Sequence, residues 1–478
     1  MRFRPRVFGL SSALDAGGLL ARLRSRRGLV ALDSAGGDPR RFSLVAFDPI
    51  QGVELPSELV GLRPMLGRLR AEDADPVPGP FQGGFLGALS YDLGVSGERP
   101  VDVRTDPWRS PRIVGGLYVD FIVRDERSGG AWLVLGDDPG DGRPGVEDRR
   151  REILAQLGAP QPRAPAPRPL GPLVRWTSAV EHGSRIERAR EEIAAGGYYQ
   201  VNLAHRFTRS MEGDAVDLYR ALRARHPAPY MGFLAWGGGL ALLSASPELL
   251  LEFDGGLART RPIKGTAPRG RTPGEDARRA RELLSSEKDL AELAMIVDLE
   301  RNDLGRVCLP GSVRVERHPH LESYATVHHL SADVVGSPLP GVDAVDLLAA
   351  LFPGGSVTGA PKLAAMEAIA RLEGEGRGFF TGALGFLGLD GRATFNILIR
   401  TLVWRPGTPA EVSFHVGGGI TWSSDARAED DETLAKGAAL AAVLEGESGR
   451  SRGKKGRARA SEGAFRERGP GDRERSIR

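Results

Sequence analysis

The chain has 478 residues, of which 41% are hydrophobic and 27% are charged, a composition that favours a soluble, globular protein. No apolar run approaches the ~18 residues needed to cross a bilayer, and no N-terminal leader is recognisable, so we expect a cytoplasmic protein without a membrane segment. The single cysteine, Cys308, excludes an internal disulfide and any cysteine-rich metal site.

The first 136 residues have the pattern of a strand-rich N-terminal domain with few helices. Strands are predicted at residues 29–33, 42–47, 85–91, 116–124 and 131–135. Residues 137–172 are rich in Pro, Gly, Asp and Arg. This composition predicts a linker, with a short helix at 146–157.

Helices and strands alternate after the linker. Helices are predicted at residues 177–195, 215–225, 285–303 and 428–444. Strands are predicted at residues 199–206, 230–235, 240–244, 249–254, 382–389, 393–403 and 411–420. Strand hairpins with inserted helices predict an α+β catalytic domain over residues 173–447 rather than a doubly wound sheet.

The basic charge of the chain is concentrated in its C-terminal tail. Residues 448–478 carry 11 basic and four acidic side chains, a net of +7, which leaves −4 for residues 1–447 of a chain whose total is +3. The segment lacks apolar periodicity, so we predict a basic disordered tail. This charge pattern does not indicate a specific nucleic-acid site.

Lysine is rare in this chain, since only six of the 65 basic residues are Lys. Arginine stays protonated, whereas a desolvated lysine can lose its proton and attack carbon. Lys264 lies between Pro262 and Gly265. Two interpretations remain for it: a nucleophile, or a lysine left on a solvated turn.

Two of the predicted helices begin with acids three residues apart, which places each pair on one helix face. The pairs are Asp289 with Glu292 and Glu429 with Glu432. Acids in a first turn commonly do no more than offset the helix dipole. If the two helix starts meet, however, four carboxylates without His or Cys form an oxygen-only site suited to Mg²⁺.

Glycine-rich segments and one arginine indicate contacts with anions. Backbone N–H groups in the turns at 353–362 and 417–419 can cradle an anion, although neither segment matches a P-loop or a dinucleotide fingerprint. Arg400 lies within an apolar predicted strand, where an unpaired guanidinium is costly. Its partner is then either an anionic ligand, such as a substrate carboxylate, or a structural salt bridge.

A set of ordered motifs resembles the chorismate-utilising enzymes, namely component I of anthranilate synthase and of aminodeoxychorismate synthase, with isochorismate and salicylate synthases as more distant relatives. The matching segments are residues 199–203, 244–248, 261–266, 287–306, 351–362, 395–401 and 417–433, with weaker matches at 31–34 and 81–87. The resemblance covers about residues 175–444. It implies a two-subdomain chorismate-binding enzyme fold with antiparallel sheets packed face to face and helices outside, in which residues 1–136 are the companion domain.

Two positions select among these enzymes. Gln200 stands where isochorismate and salicylate synthases have a water-activating lysine, and Lys264 stands where aminodeoxychorismate synthases have a lysine but anthranilate synthases have alanine. The resemblance therefore implies conversion of chorismate and ammonia to 4-amino-4-deoxychorismate, for 4-aminobenzoate and folate biosynthesis. Anthranilate synthase component I is the alternative enzyme. A non-catalytic binding protein that uses the basic tail is the alternative from another class. Lys264 and the acid pairs argue against it, because such a protein would need neither.

The resemblance also implies a role for each candidate site residue. Lys264 is the nucleophile that adds at C2 of the ring, Glu248 is the general acid for the C4 hydroxyl, and His329 lies near that hydroxyl. Glu292 and Glu432 are the main Mg²⁺ ligands, assisted by Asp289 and Glu429. The implied substrate contacts are Arg400, Thr358, Gly418, Gly419 and Gln200. Because the sequence has no glutaminase segment, a separate glutamine amidotransferase subunit is expected to supply ammonia.

Overall fold

The computed structural model describes residues 2–11, 14–35, 41–55, 58–71, 76–94, 104, 106–138, 140, 142–160, 166–325, 327–446 and 465–467. Its α-helices are α1 (Ala16–Arg22), α2 (Leu62–Leu66), α3 (Val146–Gly158), α4 (Ala179–Ala194), α5 (Ala215–Arg225), α6 (Pro273–Leu284), α7 (Glu287–Gly305), α8 (Ala344–Leu351), α9 (Lys362–Glu373) and α10 (Ala426–Leu444). Within these ranges no helix has the length and apolar character needed to cross a membrane.

The strands of the N-terminal part and the linker are β1 (Arg2–Leu10), β2 (Val30–Asp33), β3 (Phe42–Ala46), β4 (Gln51–Leu55), β5 (Arg70–Ala71), β6 (Gly84–Leu89), β7 (Ile113–Tyr118), β8 (Phe121–Asp125), β9 (Ala131–Asp137) and β10 (Arg168–Pro169). The next strands are β11 (Leu173–Arg175), β12 (Gln200–Glu212), β13 (Tyr230–Trp236), β14 (Leu240–Ser246), β15 (Leu249–Phe253), β16 (Ala258–Arg261), β17 (Ile263–Pro268), β18 (Arg314–Ser323) and β19 (Val327–Gly336). The remaining strands are β20 (Gly359–Ala360), β21 (Ala383–Gly388), β22 (Ala393–Ile397), β23 (Thr401–Arg405), β24 (Ala410–Ile420) and β25 (Phe465–Glu467).

The described strands form two large sheets that are almost entirely antiparallel. The first has 15 strands, in the order β25-β11-β12-β24-β23-β14-β13-β2-β3-β8-β9-β1-β5, with β10 and β20 also paired to β12. The second has ten, in the order β17-β19-β16-β15-β22-β21-β6-β7-β4, with β18 paired to β19. Strands and helices mix in this way in the α+β class, which confirms the predicted fold class.

The two sheets pack face to face, and helices cover their outer faces. One buried cluster joins the sheets, because it contains Leu242 of the first sheet and Leu86 and Phe386 of the second. A second cluster packs α5 and α10 on the first sheet, and a third packs α7 and α8 on the second sheet. Burying apolar area on both faces of each sheet supplies most of the stabilisation of this architecture.

Both sheets run across the boundary between the N-terminal part and the catalytic part of the chain. In the first sheet β2 pairs with β13, through Met231 opposite Asp33, and in the second sheet β6 pairs with β21, through Ala383 opposite Leu89. The linker contains α3 close to its predicted position. The boundaries at residues 136 and 172 stay predictions, but the described strands of the two parts are hydrogen-bonded into common sheets.

Two predicted strands are each divided into two by the structure. Residues 116–124 span the end of β7 and most of β8, which belong to different sheets. Residues 393–403 likewise span β22 in the second sheet and β23 in the first, and the break falls at Leu398–Arg400. The sequence predicted one strand in each case because the apolar residues continue through the break. A chain that crosses between two packed sheets stays buried while its direction changes.

The predicted disordered tail contains one ordered element among its described residues. Phe465–Glu467 forms β25 and pairs in parallel with β11, with Arg175 opposite Glu467. The prediction of disorder is wrong for these three residues. The rest of 448–478 lies outside the described residues.

Two helices that matter for the site begin with well-formed N-caps. Ser286 caps α7 by accepting from the N–H of Asp289 at 3.3 Å, and Asp425 caps α10 by accepting from the N–H of Ala428 at 2.9 Å. Such caps satisfy backbone donors that have no partner within the helix. These caps fix the starts of the two helices that carry the acid pairs.

Candidate active site

One cavity of about 710 Å³ brings together side chains that lie far apart in the sequence. Its wall includes residues of β17, β19 and β24 and of helices α7 and α10. Nine of the 12 predicted site residues line it, namely Glu248, Lys264, Asp289, Glu292, His329, Arg400, Gly419, Glu429 and Glu432. A single concave site with charged groups of both signs is the usual form of an enzyme active site.

Lys264 lies on β17 and is partly buried in this cavity. Its Nζ donates to the carbonyl oxygen of Ser356 at 3.3 Å, and it forms no ion pair with a described carboxylate. Burial lowers the pKa of the Lys264 ammonium, and the nearby charge of Lys436 acts in the same direction, against the attraction of Glu292 and Glu248. The neutral amine is therefore more accessible here than on a solvated turn.

Glu248 follows the end of β14 and is buried beside β17. Its Oε1 accepts from the N–H of Ile263 at 3.3 Å, next in the chain to Lys264. Burial raises the pKa of the Glu248 carboxyl, although hydrogen bonds from Ser356 and the Ile263 N–H favour the charged form. The carboxylic acid form is thus stabilised, as a proton donor requires.

His329 on β19 is buried between a hydroxyl and a guanidinium. Its Nδ1 lies 2.8 Å from Oγ1 of Thr266, and its Nε2 lies 3.5 Å from Nη2 of Arg400. Burial, together with the positive charge of Arg400, lowers the pKa of His329 to about 3. Since an arginine N–H only donates, this network assigns Nε2 as the acceptor and puts the proton of a neutral imidazole on Nδ1.

Arg400 occupies the crossing between the two sheets, not the middle of a strand. Its backbone φ of 51° lies in the left-handed region, which is unusual for a non-glycine residue. Burial lowers the pKa of its guanidinium. Within the described residues Arg400 has no ion pair with a carboxylate, so the structural salt bridge left open by the sequence is not formed. Lys264 and Arg400 therefore present unpaired cations to the cavity, which suits an anionic ligand.

The two acid pairs line the same cavity, which the sequence alone could not establish. Burial alone would lower the pKa of the Lys288 ammonium, but the negative charges of Glu292, Glu429, Glu432 and Asp289 together outweigh this effect, so the pKa is raised. Acids from the N-terminal parts of both α7 and α10 therefore act on one ammonium group, and all four lie in one cavity.

In the described structure, three of these four carboxylates have a side-chain partner: two form ion pairs with lysines and one accepts from a serine hydroxyl. Lys436 Nζ lies 2.7 Å from Oε1 of Glu432, and Lys288 Nζ lies 3.9 Å from Oε1 of Glu292. Ser424 donates to Oε1 of Glu429 at 2.7 Å. Lys288 and Lys436 were not among the predicted site residues. The rarity of lysine in this chain, six of 65 basic residues, could have indicated them.

The four acids fit a magnesium ion by their chemistry. All the donors are carboxylate oxygens, and Mg²⁺ is held through one or two carboxylates with substrate oxygens completing its shell. Burial raises the pKa of Glu292, and the charges of Asp289 and Glu432 oppose its ionisation further. A dication relieves this repulsion, and the ammonium groups of Lys288 and Lys436 already supply positive charge to the same carboxylates.

Glycines at the end of β24 let other chains approach closely. A Cβ on Gly419 would lie 2.1 Å from Nε2 of Gln200 and 3.6 Å from Nζ of Lys264, and a Cβ on Gly418 would lie 3.2 Å from Oε2 of Glu429. Any larger residue at 419 would collide with Gln200. The glycine run is therefore needed for the shape of the site, whether or not its N–H groups bind an anion.

Three predicted site residues do not line the cavity. Thr358 is fully buried, and its hydroxyl donates to the carbonyl oxygen of Gly354 at 2.9 Å. Gly418 does not line the cavity itself but lies against Glu429, which does. Gln200 is 2% exposed, and neither polar atom of its side chain has a hydrogen-bond partner. The cavity wall contains, in addition, Asn202 on β12, whose Oδ1 is also unpaired and which the sequence analysis did not single out.

A second cluster of possible ligands lies outside the cavity. His182, His205 and Asp430 offer ligand atoms that all lie within 4.8 Å of one another, and all three residues are buried. However, Nη1 of Arg175 lies 3.1 Å from Oδ2 of Asp430. A dication at this position would be placed beside a buried guanidinium, and the low dielectric constant there makes the repulsion large. The cluster suits a structural ion pair better than a metal.

Comparison with known proteins assigns the chain to a family. Residues 40–442 match the family model described as chorismate binding enzyme. Anthranilate synthase component 1 of Streptomyces coelicolor is 41% identical over 85% of this chain and 81% of its own length. Aminodeoxychorismate synthase component 1 of Bacillus subtilis is 34% identical over 88% of this chain and 93% of its own length.

Solved structures show the same fold. Anthranilate synthase component I from Streptococcus pneumoniae TIGR4 superposes with a TM-score of 0.72 at 28% identity, over 90% of this chain and 98% of that one. The menaquinone-specific isochorismate synthase MenF from Escherichia coli superposes with a TM-score of 0.73 at 20% identity, over 92% and 94% of the two chains. The family match over most of the chain, the two relatives above 30% identity and the cavity together lead to one conclusion: this chain belongs to the chorismate-binding enzyme family that includes the anthranilate and aminodeoxychorismate synthases.

Proposed function

We propose that this protein is an aminodeoxychorismate synthase component I, which converts chorismate and ammonia to 4-amino-4-deoxychorismate and water. The observation that carries the proposal is Lys264, whose Nζ lies in the cavity without an ion-pair partner, next in the chain to the residue that hydrogen-bonds Glu248. An amine and a buried carboxylic acid in one cavity supply the nucleophile and the proton donor that this exchange needs.

The chemistry of the proposed reaction balances through these two groups. The neutral amine of Lys264 adds at C2 of the ring, both ring double bonds shift toward C4, and the C4–O bond breaks while Glu248 gives its proton to the departing hydroxyl, which leaves as water. Ammonia then adds at C4, both double bonds shift back, the amine of Lys264 leaves C2, and the new C4 ammonium group returns a proton to Glu248. His329, whose pKa is lowered to about 3, stays neutral and would offer Nε2 as an acceptor near the hydroxyl without adding charge.

Substrate binding is assigned to the unpaired cations and to the acid site. The Arg400 guanidinium would hold one carboxylate of the dianionic substrate. Mg²⁺, when bound by Glu292 and Glu432 with Asp289 and Glu429 in support, would hold the ring carboxylate and offset its charge. Contacts from Thr358, Gly418, Gly419 and Gln200 to the substrate stay predictions. The Thr358 hydroxyl is already used by a backbone carbonyl, so a backbone contact is the form we expect for it.

A second subunit is part of the proposal. The relatives at 41% and 34% identity are each named as component 1 of their synthases. We infer that ammonia is delivered by a separate glutamine amidotransferase.

Anthranilate synthase component I is the second candidate, because the Streptomyces coelicolor relative with that name is more similar than the aminodeoxychorismate synthase from Bacillus subtilis. Overall identity reports shared fold and ancestry, whereas the reaction depends on the residues of the site. Lys264 supports the first candidate. The purified chain should be incubated with chorismate, ammonium sulfate at pH 8.5 and Mg²⁺, and the products separated and identified by mass spectrometry. 4-Amino-4-deoxychorismate supports the proposal, whereas anthranilate and pyruvate would replace it by the alternative.

A further inference from the structure

The N-terminal part of α10 has a second face, turned away from the cavity. Glu429 and Glu432 line the cavity, whereas Asp430 and Thr433 point into the protein body and are buried. The Asp430 carboxylate is held by Arg175, at 3.1 Å from Nη1 to Oδ2 with a second, shorter contact through Nη2, and by Nδ1 of His182 at 2.7 Å. The orientation of the proposed metal ligands therefore depends on a buried ion pair behind them.

The groups that hold this face come from three different elements. Arg175 ends β11, His182 lies on α4, and His205 on β12 contacts Oγ1 of Thr433 through Nε2 at 2.9 Å. None of the three lines the cavity. The side chain of Arg175 is 1% exposed. A guanidinium buried to this degree, with a two-pronged contact to one carboxylate, fixes the rotation of the helix about its own axis.

The C-terminal strand β25 covers this ion pair from outside. The ring of Phe465 lies 5.8 Å from the Arg175 guanidinium and 5.8 Å from the ring of Phe207. Oε1 of Glu467 accepts from the N–H of Ala179 at 3.0 Å, at the start of the helix that carries His182. The tail strand thus contacts both elements that hold Asp430.

We propose that Arg175 is a positioning residue for divalent-cation binding: by holding Asp430, it sets the direction of the Glu429 and Glu432 carboxylates, and β25 holds Arg175 in place. The inference rests on the cation site of the proposed function. Without Arg175, the buried Asp430 carboxylate keeps its contact with Nδ1 of His182 but loses its guanidinium partner. Removing one partner of a buried ion pair is strongly destabilising, so this part of α10 rotates or unwinds to hydrate the carboxylate, and the ligands leave their geometry.

The chain offers a matched control at the other end of the same helix. Arg209 on β12 is also buried, and its Nη1 lies 2.6 Å from Oε1 of Glu445, which caps the C-terminus of α10. Glu445 lies about 24 Å along the helix axis from Glu429 at 1.5 Å per residue. Loss of either arginine breaks an ion pair to α10, but only Arg175 contacts the turn that carries the ligands.

The test measures cation binding directly, without turnover. Mn²⁺ serves as a probe, and the decrease of its free-ion EPR signal gives Kd for the full-length protein. We expect Kd to rise at least about tenfold in Arg175→Met, to rise less in Arg175→Lys, and to rise about threefold in Phe465→Ala. In Arg209→Met it should stay within about twofold of wild type while the melting temperature falls.

Two results would overturn the inference. One is an unchanged Kd in Arg175→Met with a lowered melting temperature, and the other is an equal rise in Arg175→Met and Arg209→Met, since either makes the ion pair merely structural. If Arg175→Met does not fold, Phe465→Ala and Arg175→Lys decide the question by the same criterion. If the wild type binds no Mn²⁺ that Glu292→Gln removes, the cation site itself fails, and the inference fails with it.

Discussion

Replacement of Lys264 by arginine separates a nucleophile from a simple cation. At pH 8 a lysine with an ordinary pKa of about 10.4 is about 0.4% neutral, whereas an arginine, whose pKa is far higher, is neutral in only about one molecule in 10⁵. The burial that lowers the pKa of Lys264 disfavours any cation placed there, so the ratio of about 400 holds approximately for the site. A covalent role therefore predicts at least about 400-fold slower turnover, or about 3.5 kcal/mol of transition-state stabilisation.

The structure also predicts that these variants fold. Lys264 makes one hydrogen bond, to the Ser356 carbonyl, and no ion pair with a described carboxylate, so its removal leaves no buried acid without a partner. Lys264→Ala and Lys264→Arg should both keep a melting temperature close to that of the wild type. The assay is the initial rate of 4-amino-4-deoxychorismate formation at saturating ammonia, with melting temperature as the control for folding.

A direct observation of the covalent step completes the test. Without ammonia, wild type mixed with chorismate should gain the mass of chorismate minus water on the peptide that contains Lys264, and neither variant should. Turnover by Lys264→Arg within about tenfold of wild type would refute covalent catalysis. It would leave Lys264 as a cation that holds a substrate carboxylate.

Four further predictions follow from the site and the tail. Glu292→Gln and Glu432→Gln should each abolish Mg²⁺-dependent turnover with little loss of melting temperature, and full activity in either variant or of wild type in EDTA would contradict the acid site. Ammonium salts should support the reaction of the purified chain and glutamine should not until an amidotransferase subunit is added, which rate measurements with each nitrogen source will decide. Because the proposed mechanism needs neutral Lys264 and protonated Glu248, kcat/KM should be bell-shaped in pH, and the residual activity of Glu248→Gln should lack the falling alkaline limb. A chain that ends at Gly446 should melt a few degrees lower than the full chain, since β25 packs Phe465 on the body; an unchanged melting temperature would mean that this strand does not form in solution.

The fold class and most of the acid site could be predicted because their signals are local. The acids of α7 and α10 stand at fixed spacing after recognisable caps, and the motifs around them carry the resemblance. β18 gave no signal, because Arg314–Ser323 is largely exposed and polar and so lacks the alternation of a half-buried strand. Three ordered residues in a long basic tail were missed for the same reason, since Phe465 is a single apolar residue without a period.

What depends on tertiary structure could not be predicted from the sequence. The apolar run from Phe395 to Ile399 looks like one strand because both sheets bury it, and only the packing of the sheets shows that the chain turns there. The resemblance assigned Thr358 to the substrate by its position in a motif, yet its hydroxyl faces a backbone carbonyl. The ion pair of Arg175 with Asp430 joins residues 255 positions apart, and no local pattern reports such a contact.

The crossing at Arg400 connects the cavity to the packing of the two sheets. The short segment from Leu398 to Arg400 leaves one sheet and enters the other, so its two ends are anchored in different sheets. A sliding motion of the sheets has to be absorbed by the torsions of this segment, and the left-handed backbone of Arg400 has few alternative conformations available. Its guanidinium therefore moves with any such shear. We therefore expect a mutation deep in the interface between the sheets to affect the cavity through Arg400, even when it lies remote from every charged group there.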